Sequence, residues 1–303
     1  MRIITPSIAL LFASACFQGS EDKPAAPDAG EEEAVARATW HQDVAPILAK
    51  HCVSCHTEGG IGPFSLESYD TASTLAPILV QEIEAGNMPP WSAIAADDCE
   101  PRHSWKNDPR LSPQDIATLK LWIEDGSVEG EAASAAPLPD KAVYDLEGKN
   151  RMVAPPAAFT PSGTRDQLIC LTIDPQIDEL SWLTGLQFNP GNLETDHHAV
   201  LSLVPADALE TLDELGGADG VWECAGGVSI PGSYPLGVWV PGQAPTETPN
   251  ASAIPLGAGS KMVLQMHYHP TGFDHEPDLT TIDLRVQSEV PERMFFFTVL
   301  GNA

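Results

Sequence analysis

Hydrophobic residues change their spacing once along this chain. Trp40, Val44, Ile47 and Leu48 recur at three- and four-residue intervals, the pattern of one helix face running straight into Cys52. Further on, "LSPQDIATLKLWIEDGS" supplies Ser112 as a cap, Pro113 at the first helical position and Asp115 to complete a capping box. Ile116, Leu119 and Ile123 then form a stripe that Gly126 ends, so a second helix is predicted here. After about residue 150 the texture differs. The runs 168–173, 180–188, 197–204, 261–269, 280–287 and 294–300 are rich in β-formers and are separated by proline and glycine turns. Runs at that spacing predict a sandwich or barrel.

Composition divides the chain further. Residues 1–16 carry Arg2, an apolar stretch from Ile8 to Phe12 and small residues before Cys16, the pattern of an export signal too short for a lasting membrane span. The small residues leading into Cys16 resemble a bacterial lipoprotein processing site. That resemblance implies a lipid on Cys16 and a protein tethered in the periplasm or at the cell surface, on the outer membrane. Residues 17–37 are acidic and nearly free of large apolar side chains, so they are expected to be a disordered linker. A second such stretch, "EGEAASAAPLPDKA", sets a linker at 131–150 between folded units at 38–130 and 151–303. With 43 acidic against 15 basic residues, the formal charge of −28 repels phosphate backbones and anionic lipids. Nucleic acid is excluded as a partner, and membrane contact is expected only through the anchor.

Candidate chemistry begins at "CVSCH". Cys52 and Cys55 stand at the spacing at which two thiols add to the vinyl groups of one haem, with His56 placed beneath the iron. A redox disulfide, or a zinc site completed by Cys99 and His103, is the alternative. "AGNMPPW" offers Met88 as a sixth ligand in a loop bounded by glycine and proline. Together these motifs make residues 38–130 resemble the class I cytochromes c, which implies an all-α domain, a haem c and electron transfer.

"TDHHAV" crowds His197 beside His198. Neighbouring side chains on a regular strand point to opposite faces, so both rings reach one centre only where the backbone bends. In "KMVLQMHYHP" the alternation puts Met262, Leu264, Met266 and Tyr268 on one face, and Val263, Gln265, His267 and His269 on the other. His267 can then face the pair across a sheet. Three imidazoles suit copper or zinc, against the plainer reading of ordinary strand-edge histidines.

"ETDHHAVL" and "SKMVLQMHYHP" together resemble the copper type II, ascorbate-dependent monooxygenases, the family of peptidylglycine α-hydroxylating monooxygenase and dopamine β-monooxygenase. The resemblance implies a jelly-roll-like β domain over 151–303 and an electron-transferring copper on His197, His198 and His267. It also implies a disulfide between Cys170 and Cys224, with His269 an additional histidine that is either second to the ligands or in solvent. The family's oxygen-activating copper uses a His-x-His pair and a methionine in a second β domain. Here only His275 follows His269, and Met294 is the last methionine. That site is expected to be missing, and the ending in "FFFTVLGNA" reads as a cut near a domain junction.

The expectation is a multidomain chain, an all-α cytochrome c domain followed by an all-β jelly-roll-like sandwich domain. Its function would be that of an exported oxidoreductase whose haem feeds electrons to a copper monooxygenase that hydroxylates a C–H bond with O₂. It would act on a small-molecule substrate or a redox partner protein. The rivals are a non-catalytic haem and copper carrier, and a three-histidine zinc hydrolase with Glu194 or Asp196 as base.

Overall fold

Three segments carry enough helical periodicity to fold as helices before the first strand. The computed structural model describes residues 37–91, 100, 103–105, 108–139 and 145–297. A π-helical turn over Trp40–Val44 leads into α1 (Ala45–His51), followed by α2 (Tyr69–Glu84) and α3 (Pro113–Glu124). The capping box at α3 forms as the sequence predicts: Asp115 N donates to Ser112 Oγ at 3.1 Å, and Ser112 N donates to Asp115 Oδ2 at 3.2 Å. Trp40, Val44, Leu48, Ala72, Ala76, Leu119 and Trp122 pack as one buried cluster, and the Trp122 indole N–H donates to Val128 O at 2.8 Å.

The second half forms two sheets. One runs β1 (Arg151–Val153), β10 (Thr281–Gln287), β3 (Ser181–Asn189), β8 (Ser252–Leu256) and β11 (Arg293–Met294), with β7 (Thr246–Glu247) also on β3. The other runs β5 (Val221–Glu223), β2 (Gln167–Ile173), β9 (Lys261–Tyr268), β4 (Asp196–Val204) and β6 (Tyr234–Trp239). Every pairing is antiparallel except β11 with β8. Alternate residues of both sheets, among them Leu171, Leu186, Leu201, Ile254, Leu264 and Ile282, interlock in a single core. On β9 this inner face holds Met262, Leu264, Met266 and Tyr268, as its alternation predicts.

One end of the outer face of the second sheet is covered by a helix. There α4 (Leu209–Gly216) brings Leu212 against Val204, Val263, Cys170, Cys224, Val228 and Ile230. Cys170 and Cys224 form a disulfide. Gln265, the next outward residue of β9 after Val263, donates from Nε2 to Cys224 O at 2.8 Å. His267 follows two residues later, beyond the cluster packed under α4.

The expected partition into an all-α domain and an all-β one is corrected by this architecture. The chain is mostly β, with two antiparallel-rich sheets, and only four α-helices lie among the described residues, one of them inserted in the β half. An all-α cytochrome c domain is not evident, because the helical pattern holds only over α1, α2 and α3. The stretch between α1 and α2 is turn after turn through "TEGGIGPFSLES", which glycine, proline and serine keep from continuing a helix. The stretch expected as an interdomain linker is in part ordered. A 3₁₀ turn covers Ala132–Ser134, Ala136 N donates to His41 O at 2.9 Å, and Leu146 is buried in the β half.

Candidate metal centre

How two adjacent histidines come to share one face is answered by the register of β4 on β9. Asp196 pairs with Tyr268 and His198 with His267, so two steps on β4 match one on β9 and His197 is the residue in excess. This is a β-bulge, which bends the strand and turns the extra side chain outward beside its neighbour. Asp196 and Tyr268 remain fully buried on the inner face, while the three histidines gather outside.

Their nitrogens converge. His197 Nδ1 lies 3.1 Å from His267 Nδ1, His198 Nδ1 lies 3.3 Å from His197 Nδ1, and His267 Nδ1 lies 3.2 Å from His198 Nδ1. An imidazole nitrogen has one in-plane direction, occupied by either a proton or a lone pair, so N–H···N bonds cannot close a triangle. A cation accepting three lone pairs can. Bonds of about 2.0–2.1 Å at tetrahedral angles require N···N separations of about 3.3–3.4 Å, close to those observed, so the donor set fits a first-row ion and leaves room for a further ligand. Burial, followed by neighbouring imidazoles, lowers the basicity of His197 and brings His198 down to about 4, so both rings are neutral at pH 7 and free to donate.

Sequence reasoning missed Asp166. This residue precedes β2 and lies on the same outer face as Cys170, because Gln167 pairs with Tyr268 and Leu168 with His267. Its Oδ1 lies 2.6 Å from His269 Nδ1, and its Oδ2 lies 3.0 Å from His267 Nε2. The hydrogen bond from His269, followed by the His267 ring close by, holds the Asp166 carboxyl below the usual carboxylate range. His269 is thus exposed and tied to the carboxylate, outside the triangle of ligand atoms.

Beneath the histidines is a buried polar layer. Tyr268 donates its hydroxyl to Asp278 Oδ2 at 2.7 Å, Thr280 donates to Asp278 Oδ1 at 2.9 Å, and Asn192 N donates to Asp196 Oδ2 at 3.1 Å. Burial, with the Asp278 carboxylate second, pushes Asp196 up to about 8. This layer fixes the backbone on both sides of the bulge. His275 is also structural: its side chain is fully buried, and Thr271 N donates to its Nε2 at 3.0 Å.

In "CVSCH", Cys52 and Cys55 are unpaired thiols and half-buried. Burial, then the neighbouring Cys55, pushes Cys52 up to about 12, so it stays a thiol, unlike the low-pKa nucleophile of a redox dithiol. His56 donates from Nδ1 to Phe64 O at 3.2 Å, which fixes the tautomer with the Nε2 lone pair available. Its ring stacks on Phe64 with centroids 4.7 Å apart. A side chain at Gly62 would meet His56 Nδ1 at 2.6 Å, so a bare backbone is required there. The donor set therefore fits a covalently held haem. Met88 is 43% exposed on the loop after α2 and lies outside the helical core cluster. Cys99 and Cys16 lie outside the described residues, and His103 is exposed.

The loop after β6 comes against the Cys-x-x-Cys segment. A side chain at Gly242, three residues beyond β6, would lie 2.8 Å from Ser54 Cβ inside the Cys-x-x-Cys motif. Trp239 at the end of β6 pairs with Ala199, the neighbour of His198. Among the described residues, His197, His198 and His267 are the only group of three or more side chains placed to hold a metal. The fold and site define a mostly β chain that presents three histidine Nδ1 atoms on the open end of a sheet. No protein-family model matches the chain, and no curated protein matches it.

Proposed function

We propose that this protein is an exported electron-transfer oxidoreductase in which a haem held by Cys52, Cys55 and His56 feeds a copper held by His197, His198 and His267. It would serve as the electron-transferring part of a copper monooxygenase. The observation that carries this reading is the triangle of Nδ1 atoms, 3.1–3.3 Å on a side, built by a bulge. Haem and copper each supply one-electron chemistry when bound. The chain's own residues would hold and orient them. His56 is fixed by the Phe64 carbonyl, Met88 would be the thioether offered to the haem, and the loop carrying Gly242 comes against Ser54 of the Cys-x-x-Cys segment. The Cys170–Cys224 disulfide supports an oxidising compartment, in keeping with export.

Two observations weigh against the zinc hydrolase. Its candidate base Asp196 is buried on the inner face, away from the imidazoles, and Glu194 Oε1 faces His275 Nδ1 at 3.5 Å. The test is haem and metal stoichiometry on full-length protein, with visible and paramagnetic resonance spectra. One haem and one type 2 copper per chain are expected, and H267A should lose the copper while keeping the haem spectrum. Colourless protein, or zinc in the three-histidine site, overturns the proposal.

A further inference from the structure

We infer that Asp166 is the positioning residue of the three-histidine centre, holding His267 so that its Nδ1 faces His197 and His198. The inference rests on the metal-centre reading above. His267 is the one ligand contributed by a different strand, so its ring angle decides whether the triangle closes. Its Nε2 is buried without an aligned hydrogen bond, and the negative charge of Asp166 stands 3.0 Å away. Asp166 is itself braced from its other oxygen by His269 at 2.6 Å. Metal binding at Nδ1 makes the imidazole more positive and its Nε2–H more acidic, which strengthens the attraction to a carboxylate on the far edge of the ring. The carboxylate therefore favours the metal-loaded state over the empty one, and fixes the tautomer in which Nδ1 carries the lone pair.

The geometry makes this role specific. Residue 166 lies diagonally across from His267 and directly across from His269, on the outer face that also carries Cys170. A glutamate at the same place keeps the charge and one methylene more of reach, whereas alanine removes both. Asp166 is exposed, so neither change disturbs the core.

The experiment measures copper affinity by chelator competition, and the paramagnetic resonance signal of the copper-loaded form, on full-length D166A, D166E and H267A proteins. D166A is expected to bind about 10–100-fold more weakly with a shifted copper signal. D166E should recover most of the affinity, and the haem spectrum should stay unchanged throughout. Wild-type affinity and signal in D166A, alongside loss of binding in H267A, overturns the role of Asp166. A lower melting temperature of metal-free D166A with unchanged affinity also overturns it, because that is what a purely structural tie would give. If H267A binds copper as the unaltered protein does, the three-histidine reading itself has failed.

Discussion

Replacing Cys170 and Cys224 together by alanine removes the cross-link between β2 and the β5 segment, which are separated by 54 residues in sequence. In the chain-entropy view a bridge over a loop of that length restricts the unfolded chain by about 14 cal/mol/K, or about 4 kcal/mol at 25 °C. The loss should not be offset elsewhere. Cys170 is fully buried and Cys224 nearly so, packed under α4 with Leu212, Val204 and Val263, so the alanines also leave a small void. Urea unfolding followed by circular dichroism and tryptophan fluorescence should show the double variant about 4 kcal/mol less stable. Unaltered protein unfolded under reducing conditions should fall close to the variant. A difference below about 1 kcal/mol would refute the reasoning, since it would mean that the unfolded chain gains nothing from release of the bridge.

Two further outcomes follow from single positions. G62A puts a methyl group 2.6 Å from His56 Nδ1 and 2.9 Å from Cys55 O, so haem incorporation should drop or the axial-ligand spectrum shift, and an unchanged haem yield and spectrum would contradict this. L264A empties the middle of the core, where Leu264 on β9 sits between Leu171 on β2 and Leu201 on β4. It should cost about 2–5 kcal/mol in urea unfolding while leaving the histidine face in place.

Much of the β half could be read from alternation. The face assignment on β9 rests on a two-residue period that burial enforces, so Leu264 and His267 are separable from the sequence alone. The capping box of α3 is likewise a local signal with a local cause. The bulge was not legible in the same way. "TDHHAV" shows that a bend is needed, but which residue is in excess depends on the partner strand, some seventy positions away. Asp166 was missed for a related reason. It is an acidic residue at the edge of a strand, and only the pairing of β2 with β9 brings it to His267. A route to it existed: counting back by twos from Cys170 along the outer face arrives at 168 and then 166. The all-α expectation failed because two convincing helical segments, over α1 and α3, were extended across glycine- and proline-rich connections that carry no period of their own.

The extra residue at position 197 has a consequence for how this surface can change over generations. A ligand pair made by a two-against-one mismatch is locked to one rung of the ladder. Point replacements near it are absorbed locally, but inserting or deleting a single codon between Thr195 and Ala199 would exchange inside for outside along part of the strand. It would bring Asp196 or Ala199 to the open face in place of an imidazole. Relatives that keep the centre should therefore vary in the letters around the dipeptide and hold its spacing to the neighbouring strand fixed.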